Sequence, residues 1–106
     1  MNLHDITPER SDFSFLPEDH RRIIAGFVTG WKNHHPIIVA RNGDVYYRNG
    51  NFDGRIQPFF NSFNAKSFFS SWAYKWKKPL ESFDWSLVTL VNRVEYLEIN
   101  EYIIKE

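Results

Sequence analysis

The stretch RNGNFDGRI, Arg48 to Ile56, sets Asn49, Asn51 and Asp53 at alternate positions, with Gly54 next and Ile56 beyond. Side-chain oxygens at every second residue, then a glycine and an apolar residue, are the chemistry of the front half of a calcium loop. Such a loop also needs an acidic first ligand and a bidentate Glu at its twelfth position, between two helices. Counted from Asn49, the twelfth residue is Phe60, and the preceding DVYYR reads as a strand. The stretch is therefore expected to be a turn with positive φ at its glycines. His20, His34, His35 and Asp44 are further metal-ligand types. Adjacent histidines on an extended segment point to opposite sides, and His20 is expected on the polar side or edge of a helix. Neither metal nor cofactor is expected.

A second chemistry is the interleaving of aromatic and basic residues. In SSWAYKWKK, Trp72 and Trp76 fall on the apolar face of a helix, which leaves Tyr74, Lys75, Lys77 and Lys78 for a surface. Arg41, Tyr46, Tyr47, Arg48 and Arg55 add a basic-aromatic group from the preceding strands. Neighbouring strand residues face opposite ways, so one of Tyr46 and Tyr47 is expected in the core and the other on the surface. Aromatic faces with cations suit either the anchors of a protein interface or the stacking of single-stranded nucleic acid. Gly-x-Ser-x-Gly, phosphate-loop and dinucleotide signatures are missing from the sequence, which points away from the common enzyme classes.

The charge that surrounds these residues is segregated. Residues 1–19 carry five acids and one base, residues 20–78 ten bases and two acids, and residues 79–106 six acids and two bases. The net charge of zero thus comprises acidic ends and a basic middle. Either the ends fold against the middle, or the middle keeps a basic face for an acidic partner. With no cysteine, disulfides, thiolate metal sites and cysteine catalysis are excluded, and a reducing, cytoplasmic setting is expected. The polar start MNLHDITPERSD has no apolar core of a signal peptide, and PIIVA and LVTLV are too short to span a bilayer.

The elements that must position these groups can be read from periodicity. A first helix is expected from Pro17, with Glu18 and Asp19 in its first turn, an apolar stripe of Ile23, Ile24, Phe27, Val28 and Trp31, and a stop at Gly30. Asn42–Gly43 between apolar runs predicts a hairpin with a two-residue loop, pairing Arg41 with Asp44, Val39 with Tyr46 and Ile38 with Tyr47. Arg-Asn-Gly recurs at 48–50, so a three-stranded meander is expected over 36–58. Residues 61–78 predict a second amphipathic helix ended by Pro79, its apolar face including Ala65, Phe68, Phe69, Trp72, Ala73 and Trp76. Beyond it, Leu87, Leu90, Val91, Val94 and Leu97 fit a helix capped by Asp84. The Val, Thr, Ile and Tyr content instead favours strands that extend the meander. Residues 1–15 are expected as an extended arm pinned by Phe13 and Phe15.

Phe15 to Ile24, FLPEDHRRII, resembles the opening of the SMI1/KNR4-like (SUKH) domains, in which a Leu-Pro-acidic-acidic-aromatic-basic run leads into the first helix. Leu16, Pro17, Glu18 and Asp19 match that run, and His20 stands at the aromatic position. The chain departs from the pattern at the helix end, where Thr29, Gly30 and Trp31 replace Asn-Gly-Gly. The resemblance implies a bacterial immunity protein that neutralises a toxin by binding it. The expectation is a single α+β domain over residues 1–106, an antiparallel meander packed against two helices, with the sheet covered on one face. Its expected role is a non-enzymatic immunity- or inhibitor-type protein of a bacterium or phage, covering a protein partner with an acidic surface. A nucleic-acid-binding accessory protein using the basic middle is the alternative, and a small enzyme without a recognisable motif is a second.

Overall fold

The first helix forms where its signals lie. In the computed structural model, which describes residues 13–31, 36–48, 54–71, 76–99 and 101–106, helix α1 spans Glu18–Trp31. Its backbone ladder begins at the Pro17 carbonyl, which accepts from the Arg21 amide at 3.1 Å. Ile23, Ile24, Phe27 and Val28 are buried as the stripe requires, and Ala25 joins them. Gly30 does not stop the helix, which continues through Trp31. Ahead of α1, Phe13 is buried and stacked on Trp85 at 5.2 Å, whereas Phe15 is exposed, so only the first of the two pins this end of the chain. The rest of the expected arm, residues 1–12, lies outside the described residues.

Strands β1 (Ile37–Ala40), β2 (Val45–Arg48) and β3 (Ile56–Phe60) form the expected antiparallel meander. The register at its first turn differs by one residue from the predicted one: Ile37 pairs with Tyr47, Ile38 with Tyr46 and Val39 with Val45. The cause is a three-residue loop. The Gly43 amide donates to the Ala40 carbonyl at 2.9 Å, the Ala40 amide to the Asp44 carbonyl at 2.9 Å, and Gly43 takes φ +98°. A turn followed by one left-handed residue closes a hairpin as well as the two-residue form does. Since side chains alternate, the slip moves every β2 side chain to the other face. The second Arg-Asn-Gly turn falls largely on residues 49–53, outside the described residues.

Between β2 and β3 the register shifts, so that Tyr46 pairs with Pro58 while Val45 pairs with Phe60. The extra residue, Phe59, makes a bulge, and it lets Phe59 and Phe60 both turn towards α1. Phe59 meets Phe27 at 4.1 Å and Phe68 at 4.8 Å, and Phe60 meets His20 edge-on at 5.7 Å. His20 is accordingly buried among aromatics, not on the polar side of α1.

The second helix is shorter than predicted. Helix α2 spans Ala65–Ser71, opened by a brace in which the Asn61 side chain accepts from the Phe63 and Asn64 amides, while Asn64 accepts from the Asn61 amide. Residues 72–75 lie outside the described residues, and from Trp76 to Pro79 the chain is not helical. Lys77 and Lys78 are therefore not in a last helical turn. Arg22 of α1 holds this segment instead, donating from one nitrogen to the carbonyls of Trp76 at 3.0 Å and Lys78 at 3.2 Å.

The expectation of strands beyond Pro79 holds, with a different arrangement. Two short 3₁₀ turns, Leu80–Ser82 and Trp85–Leu87, come first. Asp84 caps the second of them and not an α-helix, accepting from the Ser86 amide at 3.2 Å. β4 (Val88–Val91) then joins the meander beside β1 and parallel to it, giving a mixed sheet of order β3-β2-β1-β4 in place of a purely antiparallel one. β5 (Arg93–Tyr96) and β6 (Tyr102–Lys105) form a separate antiparallel hairpin.

The fold is α+β, as its composition of elements predicted, but the sheet is covered on both faces. On one side Ile37, Val39, Val45, Phe60 and Val88 pack with Ile23, Ile24, Phe27 and Trp85. On the other, Ile38, Ala40, Ile56 and Val91 are covered by Val94, Tyr102 and Ile104 of the hairpin, with Tyr46. The unbroken apolar run of β1, buried at all four positions, is what a strand between two layers requires.

Candidate functional site

β2 and the hairpin build the site. The one-residue slip puts Tyr46 and Arg48 on the hairpin face of the sheet, the same face as Ile56. β6 approaches the start of β3 there, and between them lies an open groove of about 410 Å³. Arg48, Arg55 and Glu101 give its polar groups, while Ile56, Tyr102, Ile103 and Ile104 give its apolar wall. Among the described residues, cavities of about 70 Å³ beside Asp44 and Phe60 and about 30 Å³ beside Phe13 and Leu80 are much smaller than the groove.

The groove's charged groups are positioned by specific contacts. The Arg48 guanidinium donates to the Gly54 carbonyl at 2.6 Å, and Gly54 takes φ +79°, a conformation glycine adopts without steric cost. The Arg55 guanidinium lies 3.7 Å from the Glu101 carboxylate, with Arg55 exposed and Glu101 partly so. Tyr46, Tyr102 and Tyr96 form a row beside the groove, with centroid separations of 5.5 and 5.3 Å. Burial first, then the Asp44 carboxylate and the Tyr102 phenol, push the Tyr46 hydroxyl above its ordinary acid constant, so it is a neutral donor.

Of the residues singled out from sequence, Arg48 and Arg55 line the groove, and Tyr46 meets the groove's Tyr102 from beside it. Arg41 sits in the turn at the opposite end of β2, where its Nε donates to the Asn92 side chain at 3.1 Å. Tyr47 faces α1 and packs against Phe27 and Phe59, each at 6.3 Å. Both tyrosines are half-buried, one on each face, so the expected division into one core and one surface residue does not hold. Lys77 and Lys78 follow Trp76 on the α1 side, with the Lys78 ammonium 6.0 Å from the Trp76 ring, and Tyr74 and Lys75 lie outside the described residues.

Glu101, Tyr102, Ile103, Ile104 and Tyr96 were not singled out from the sequence. A signal existed: Tyr96 and Tyr102 flank a five-residue connection, a spacing that pairs them across a hairpin. It lacks the Asn-Gly dipeptide that marks tight hairpins, which is why it is quiet. His34 and His35 lie outside the described residues, and Asp44 holds the Asn42 side chain in the first turn. Among the described residues no three metal-ligating side chains gather. Among them also, no helix is long and apolar enough to cross a membrane.

Guanidiniums beside isoleucine and tyrosine suit the recognition of carboxylates carried on an otherwise apolar chain, because Arg binds carboxylate through two parallel hydrogen bonds. Comparison of the chain with protein-family models, with curated proteins and with solved structures finds no match.

Proposed function

We propose that the chain is a non-enzymatic binding protein of immunity or inhibitor type, which covers an acidic surface of a protein partner with the groove between β3 and β6. The observation that carries this reading is the juxtaposition of Arg48 and Arg55 with the Tyr46–Tyr102–Tyr96 row. Arg and Tyr supply most of the energy of protein interfaces when they flank a partly dry depression. The Arg55–Glu101 pair is partly exposed, so exchanging Glu101 for a partner's carboxylate costs little. The resemblance of Phe15–Ile24 to the opening of SUKH immunity domains agrees with this role.

A labelled peptide of alternating Glu and Leu is the direct probe, titrated by fluorescence polarisation. Saturable binding is expected, weakened at least about tenfold in R48E/R55E, a loss of about 1.4 kcal/mol. R41E, which lies outside the groove, should bind as the native chain does. Absence of saturable binding, or an equal loss in R41E, would overturn the assignment.

A further inference from the structure

The hairpin presents a strand edge whose charges complement themselves. β5 pairs with β6 along one edge, and among the described residues no strand pairs with its other edge. The free edge of the larger sheet at β3 is blunted by Pro58 and by the bulge at Phe59, devices that discourage strand addition. β5, Arg-Val-Glu-Tyr, has neither proline nor bulge. Its outward face carries Arg93, exposed, and Glu95, partly so, held together at 2.9 Å, and its other face carries Val94, packed on the hairpin side of the sheet, and Tyr96, set against Tyr102.

We propose that β5 docks a second copy of this chain, strand against strand and antiparallel, with the two-fold axis at Val94. That register sets Arg93 opposite the partner's Glu95 and Glu95 opposite the partner's Arg93, while Val94 meets its own equivalent. Both hairpins join into one four-stranded sheet, β6-β5-β5-β6. A shift by one residue would turn the apolar face of one copy to the charged face of the other, so the pleat itself selects this register. An isologous contact of this kind requires each surface to complement itself, and two opposite charges placed symmetrically about a valine satisfy that condition. Tyr96, 56% exposed in the single chain, gains cover from the partner's strand. Four residues a side make a small interface, so the association is weak and depends on concentration. The contact shares Tyr96 with the row beside the groove, but Arg93 and Glu95 do not line the groove, so their charge exchange tests self-association independently of the partner proposed there.

Sedimentation velocity on the full chain over a range of concentrations tests it. The native protein should move from the mass of one chain towards that of two as concentration rises. R93E and E95R each place like charges opposite one another twice, and each alone should self-associate at least about tenfold more weakly. Mixed in equal amounts, the two variants should associate again, because the introduced charges are then opposite in both pairs. The double variant R93E/E95R should pair as the native chain does, which keeps the test open if either single variant misfolds by circular dichroism. A native chain monomeric at every concentration, single variants that associate like the native protein, or a mixture that stays monomeric would overturn the proposal.

Discussion

The Tyr46 hydroxyl sits where burial, the Asp44 carboxylate and the Tyr102 phenol, in that order of weight, all disfavour its anion. In the unfolded chain the same phenol loses its proton near the ordinary value of 10.0. Above that pH the unfolded chain binds fewer protons than the native one, so stability falls as pH rises. Below it the contribution of Tyr46 is fully present. Urea unfolding at pH steps from neutral to beyond the ordinary tyrosine value should show this decline, and Y46F should flatten it. An unchanged slope in Y46F would refute the assignment. Gly43 offers a second residue-scale test, because a Cβ there meets nothing within 4 Å and only its φ of +98° opposes a side chain. G43A should therefore cost about 1 kcal/mol through backbone strain alone, and G43N less, since Asn tolerates the left-handed region. Equal losses for the two, measured by chemical denaturation, would mean that the loop geometry is otherwise held.

At the scale of elements, Arg22 and Phe13 decide how separate segments join the core. Arg22 is anchored by Glu18 at 3.2 Å and reaches the carbonyls of Trp76 and Lys78. R22A should cost about 1–2 kcal/mol in thermal or chemical unfolding. R22K should recover only part, because an ammonium cannot replace the guanidinium's fork. F13A, which removes the ring stacked on Trp85, should cost about 3 kcal/mol, while F15A at an exposed site should change stability by less than about 0.5 kcal/mol. Comparable losses for the two would contradict the packing described. These elements also mark what could be read beforehand. The stripe from Ile23 to Val28 and the turn at Gly43 were legible because helical periodicity and turn glycines are local signals. The hairpin register was not, since a loop of two or three residues is compatible with the same Asn-Gly and only the packing of Tyr47 on Phe27 and of Tyr46 on Tyr102 decides between them. Nor was the parallel place of β4 beside β1, because pairing across the chain leaves no local trace in VTLV. The groove was half legible: its arginines lie in a visibly basic middle, whereas Glu101 and Tyr102 belong to an acidic end that the fold carries across to them.

For the molecule as a whole, the segregated charge is partly resolved by the fold. Glu18 pairs with Arg22 and Glu101 with Arg55, so acids from both ends meet bases of the middle. Among the described residues Arg48 has no ion pair and donates to a neutral carbonyl, which brings a positive charge to the groove. A sheet covered by helices on one face and by a hairpin on the other thus brings basic and aromatic residues to the line where hairpin and sheet meet. The central claim is that this line receives an acidic protein segment and not a nucleic acid. It is tested by competing the Glu-Leu peptide against an oligothymidylate strand for the native chain, from about 50 mM to about 200 mM salt, the range over which phosphate contacts fade. The peptide should displace the oligonucleotide throughout and keep most of its affinity at the higher salt, supported by contacts to Ile103, Ile104 and the tyrosine row. Tighter oligonucleotide binding that collapses steeply with salt, and survives addition of the peptide, would contradict it.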